Sequence, residues 1–158
     1  MVKGWRVIVC LGSVGCLISV SANQPSGGYD VVSFRVTPAD GAAHAVTDAG
    51  RFEFGALGNL DPSDLFECTD TGLPCGDAVS ILAYDWVGGG LVPLWAPERV
   101  LFHLPEWDGP NERWLAPIPV GNLSCALSRT SKRPTVLVGE DCSGPDGGPF
   151  DVELVMDR

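Results

Sequence analysis

The chain has 158 residues, 45% of them hydrophobic, and carries twenty acidic against ten basic side chains for a net charge of −10. So acidic a surface repels phosphate, which argues against nucleic acid or an anionic membrane as partner and favours a basic ligand or a bound cation. Twenty glycines and thirteen prolines interrupt the chain so often that no segment after the N-terminal apolar run keeps a 3.6-residue apolar period for three turns, which excludes a helical domain.

Lys3 and Arg6 precede an apolar run from Val7 to Val20, and Val20-Ser21-Ala22 then offers a small-residue cleavage site before Asn23-Gln24-Pro25. This is the layout of a secretory signal over residues 1–22, cut after Ala22. A membrane span needs about 18 to 20 apolar residues, so the run is too short, and nothing later supplies a transmembrane segment. A lipoprotein signal would use Cys16, but Ser13 stands where such signals place a large aliphatic residue, which disfavours it. The expected location is secreted, extracellular or periplasmic. The remainder is the length of one domain.

Residues 23–28 are polar and aperiodic and read as a flexible leader to a single domain over 29–158. Tyr29 to Val36 reads as a strand with Val32, Phe34 and Val36 on one face. Pro38 to Gly41 turns, Ala43 to Val46 forms a short strand, Thr47 to Gly50 turns again, and Arg51 to Phe54 alternates with Phe52 and Phe54 inward. Asp61 is placed to cap one helical turn over Pro62–Glu67. Further strands fall at Val79–Trp86, Leu91–Trp95, Arg99–Leu104, Leu123–Leu127, Thr135–Val138 and Phe150–Met156. About eight or nine short strands at such spacing predict a small antiparallel β-sandwich, immunoglobulin-like or transthyretin-like. No internal repeat is present.

Cys10 and Cys16 leave with the signal, and Cys68, Cys75, Cys125 and Cys142 remain. An exported chain with four cysteines predicts two disulfides. Of the three pairings, Cys68–Cys75 and Cys125–Cys142 are favoured, since each closes a loop flanked by turn residues; they would add about 2.5 and 3 kcal/mol. A zinc site wants C-x2-4-C knuckles, which neither pair provides.

Thr47 to Leu57, T-D-A-G-R-F-E-F-G-A-L, resembles the T-D-x-x-G-x-F-x-F-x-x-L segment of carboxypeptidase regulatory-like domains, which are transthyretin-like sandwiches. The likeness covers about residues 31–57, with a turn one residue shorter here. It implies a non-catalytic extracellular sandwich and no site residues.

Trp86, Trp95, Trp107 and Trp114 fall in one stretch. Trp86 and Trp95 lie in strand patterns and are expected in the core. Trp107 and Trp114 flank the polar turn Asp108-Gly109-Pro110-Asn111-Glu112, which would lift them toward solvent. An exposed indole suits a pyranose face, which makes these two the candidate ligand anchors.

Acidic residues gather at Asp61, Asp64, Glu67, Asp70 and Asp77, and again at Glu140, Asp141, Asp146 and Asp151. Neither group has calcium-loop spacing, so both read as solvated charge, with weak Ca2+ binding left open and no cofactor expected. The histidines His44 and His103 sit in no catalytic motif. Asn122-Leu123-Ser124 is a glycosylation acceptor in a cell that adds such glycans. The expected function is a monomeric, non-catalytic interaction module that binds extracellular carbohydrate or protein. The alternatives are a small secreted hydrolase using two of Glu98, Glu106, Asp108 and Glu112, and a structural envelope component.

Overall fold

A computed structural model describes residues 23–54 and 78–158. The signal sequence, Cys68, Cys75, the acidic group from Asp61 to Asp77 and the helical turn at Pro62–Glu67 lie outside these residues. The strands, in chain order, are β1 (Gly27–Pro38), β2 (His44–Thr47), β3 (Gly50–Phe54), β4 (Ala78–Leu82), β5 (Tyr84–Val87), β6 (Gly90–Pro93) and β7 (Val100–Phe102). They continue as β8 (Trp107–Asp108), β9 (Arg113–Trp114), β10 (Ile118–Val120), β11 (Leu123–Cys125), β12 (Leu127–Lys132), β13 (Thr135–Gly144) and β14 (Gly147–Asp157). The described residues contain no helix, and every pairing is antiparallel. This is the all-β, sandwich-like fold that the turn spacing predicts.

Twelve strands form one curled sheet with the path β7-β4-β3-β1-β14-β13-β12-β9-β8. β2 lies on β1, the β10–β11 hairpin joins through β13, and β5–β6 makes a separate two-stranded sheet. β1 reaches Gly27, two residues before the expected onset, and the stretch expected as a leader makes contacts with the domain. Pro25 is buried, Arg129 donates to the Asn23 carbonyl, and Arg158 donates to that of Ser26 at 2.7 Å.

The inward face of β1 also differs from simple alternation. Its register against β14 shifts between Val31 and Ser33, and such a bulge inserts one residue that flips the sequence of faces. Tyr29 and Val31 therefore point inward on one side of the bulge and Phe34 and Val36 on the other, while Val32 is left exposed.

The predicted strand over Val79–Trp86 breaks at Ala83, where the chain leaves the large sheet for the small one. The Ala83 amide donates to Ala49 and its carbonyl accepts from Leu94, both at 2.8 Å. Gly50 makes the crossing tight: at φ +120° a side chain would be strained, and its Cβ would run into the Ile81 carbonyl. Phe52 and Phe54 stack at 5.6 Å and Phe54 stacks on Trp114 at 5.4 Å, which places an aromatic row through the middle of the core.

Cys125 and Cys142 form the predicted disulfide, with Cα atoms 4.5 Å apart and both residues buried. The bond ties β11 to β13 beside Gly139, where an added Cβ would stand 2.9 Å from the Cys142 sulfur and 3.0 Å from the Cys125 Cβ.

Candidate functional site

The surface that departs most from a solvated one is the β5–β6 hairpin and the segment after it. Gly88 and Gly89 form its two-residue turn with φ of +59° and +88°, the geometry that a tight hairpin needs and glycine supplies without strain. Alternation then sorts the side chains. Trp86 and Leu91, directly opposite each other, face the core, while Val87 and Val92 face outward at 53% and 42% exposure.

Trp95 was expected in the core and is instead 102% exposed. The reason lies in the two prolines around it. β6 stops at Pro93, whose ring removes a ladder donor, and Pro97 prevents the strand from resuming. Leu94 is still held through its amide to Ala83, so Trp95 projects from a fixed backbone point. Ala96 and Pro97 beside it are exposed too.

Trp86 carries the other half of the arrangement, since it docks the hairpin. Its ring meets His44 and Phe150 edge-on, each at 5.2 Å between centroids. Its backbone is gripped by Asn122, whose Oδ1 accepts from the Trp86 N–H and whose Nδ2 donates to the Trp86 carbonyl, both at 2.8 Å. Asn122 sits in the two-residue turn between β10 and β11, where Gly121 takes φ +59°. A Cβ on Gly121 would lie 2.9 Å from the Tyr84 carbonyl, so only glycine lets this turn press against β5.

Trp107 and Trp114, the sequence candidates for ligand anchors, are not lifted into solvent. They are 6% and 1% exposed, pair across β8 and β9, and meet edge-to-face at 4.8 Å. Trp114 stacks on Phe54 in the core, and the Arg129 guanidinium covers the Trp107 ring at 5.5 Å. Neither indole N–H has a hydrogen-bond partner. These rings belong to the packing and offer no open stacking face.

The polar turn between them is knit to itself. Asp108 accepts from the Asn111 side chain at 2.7 Å and pairs with Arg113, which holds its carboxyl below the usual range, the Asn111 bond contributing most. Glu112 is held low in the same sense by Arg129 first and Lys132 second. A glycosidase acid needs a carboxyl shifted upward, and neither of these two has that shift. Glu98 is exposed on the segment after Trp95. Glu140, Asp141, Asp146 and Asp151 are exposed, and among the described residues no group of three or more His, Cys, Asp or Glu is arranged to hold a metal ion.

No family model, curated protein or solved structure matches the chain. The chain's own geometry moves the exposed aromatic from Trp107 and Trp114 to Trp95. Pro93 and Pro97 were the sequence signal for that move. The role of Asn122 had no local signal, because its partner lies 36 residues away.

Proposed function

We propose that the protein is a non-catalytic extracellular interaction module that presents the β5–β6 hairpin and Trp95 to a carbohydrate or a protein. The observation that carries this reading is the complete exposure of Trp95 next to the outward-facing Val87 and Val92. A fully hydrated indole on a fixed backbone gives up nothing in internal packing, and it offers a flat apolar face with a donor at its edge. Such aromatics are the usual anchors of binding surfaces. The disulfide supports an oxidising compartment, and no helix among the described residues is long and apolar enough to cross a membrane. The likeness of Thr47–Leu57 to carboxypeptidase regulatory-like domains fits the same non-catalytic role.

The test is a thermal-shift and fluorescence panel of glycans and candidate protein partners against wild type and Trp95→Ala. A ligand at a hundred times its Kd stabilises by about 2.7 kcal/mol. A ligand that raises the midpoint of wild type and not of Trp95→Ala supports the reading. Binding that survives Trp95→Ala unchanged would remove Trp95 as the anchor.

A further inference from the structure

Asn122 uses both ends of one side-chain amide on one residue. Since Oδ1 accepts from the Trp86 N–H while Nδ2 donates to the Trp86 carbonyl, the donated hydrogen is the one on the same side of the amide C–N bond as Oδ1. Asn122 is also the acceptor asparagine of Asn122-Leu123-Ser124. Adding a sugar at Nδ2 turns this primary amide into a secondary one, which prefers the trans form. In that form the substituent takes the side of the oxygen and the remaining hydrogen points the other way. The sugar carbon and the hydrogen donated to Trp86 thus claim one position.

The surroundings hold the turn itself in place. Gly121 is pressed against the Tyr84 carbonyl, with the Asp85 carboxylate 3.2 Å from where a Cβ would stand. Leu123 is buried, and Ser124 is paired to Pro119 on one side and to Ser143 on the other, so two of the three acceptor residues lie in β11 directly after the turn that holds Asn122.

We infer that glycosylation of Asn122 and docking of the β5–β6 hairpin exclude each other. A folded chain presents no acceptor at Asn122, and a chain modified there before folding loses the grip on Trp86. Asn122 is thereby a positioning residue for the hairpin that carries Val87 and Val92. This holds whether or not Trp95 binds anything, so its test does not depend on a ligand.

The measurement is hydrogen exchange of the Trp86 amide in the full oxidised chain. Asn122→Ala is expected to speed that exchange roughly tenfold, the equivalent of one to two hydrogen bonds. Ser124→Ala destroys the acceptor sequence and keeps the amide, and it is expected to match wild type. Unchanged Trp86 exchange in Asn122→Ala would overturn the inference. In a host that glycosylates exported proteins, occupancy at Asn122 is expected to be several-fold higher in Trp86→Ala, which frees the hairpin, than in wild type. Lectin-captured wild-type molecules are expected to exchange at Trp86 like Asn122→Ala. If they stay as protected as Ser124→Ala, glycan and clamp coexist and the inference is wrong.

Discussion

Arg129 and Glu112 hold each other at three points: Nε to Oε2 at 3.3 Å, Nη2 to Oε1 at 3.2 Å, and the Arg129 amide to the Glu112 carbonyl at 2.7 Å. The backbone of Glu112 sits at φ +49° to make this possible, and the guanidinium, thus oriented, roofs Trp107. The fork lowers the Glu112 carboxyl below its ordinary 4.5, with Arg129 the largest cause. A folded-state depression means the pair stabilises fully above that ordinary value and is lost as pH falls through the lower, folded value. Thermal midpoints measured from about pH 6 to pH 3 are expected to fall less steeply below pH 4.5 in Glu112→Gln than in wild type. Parallel curves would show that Glu112 does not contribute to acid unfolding.

The four tryptophans among the described residues divide into one outside and three inside, and their alanine variants are expected to divide the same way. Trp114→Ala empties a fully buried site against Phe54 and is expected to cost about 3–5 kcal/mol in denaturant unfolding. Trp95→Ala touches nothing packed and is expected to stay within about 0.5 kcal/mol of wild type. A large loss at Trp95 would mean that its ring is covered.

Acrylamide quenching checks the same division without unfolding the protein. Wild type is expected to show one readily quenched, red-shifted component that disappears in Trp95→Phe. The component should persist in Trp107→Phe, since that ring lies under Arg129. Its persistence in Trp95→Phe would place the exposed indole elsewhere.

Gly139 and the disulfide test the junction of β11 and β13. The bond closes a separation of 17 residues, for which loop entropy gives about 3 kcal/mol, so Cys125→Ala with Cys142→Ala is expected to lose about that much. Gly139→Ala drives a methyl into the sulfur and the Leu127 side chain, 3.0 Å away, and is expected to cost about 1–3 kcal/mol with the cysteines intact. In the background lacking Cys125 and Cys142 the Gly139→Ala penalty should shrink, because one of the clashing atoms is gone. An equal penalty in both backgrounds would trace it to the backbone instead.

Strand content was legible where alternation and turn residues agreed. Arg51 to Phe54 sits between turn signals and buries Phe52 and Phe54 as its pattern requires, and Cys125 and Cys142 paired as their flanking turns suggested. Period-two reading failed at Val31 and Val32, where a bulge set by β14, far along the chain, swaps the faces. Turn chemistry misled at Trp107 and Trp114, because a polar turn says where the chain reverses and not whether the hairpin lies over the core. That was decided by Phe54, some sixty positions earlier. Trp95 lay in a strand pattern, but the flanking Pro93 and Pro97 end that strand and leave the ring outside.

β1 is flanked in the sheet by β3 on one side and β14 on the other, and Asp30 pairs with Asp157. This interior strand therefore finds one partner nearby and the other more than a hundred residues later. During synthesis the aromatic row of β3 can gather early, yet one edge of β1 stays unmatched until Gly147–Asp157 has been made. Closure of this sheet is a late, non-local event, which places the domain among folders that take milliseconds to seconds rather than microseconds. A chain arrested before residue 147 would expose Phe34 and Val36 together with an open strand edge, the combination through which nascent β proteins self-associate.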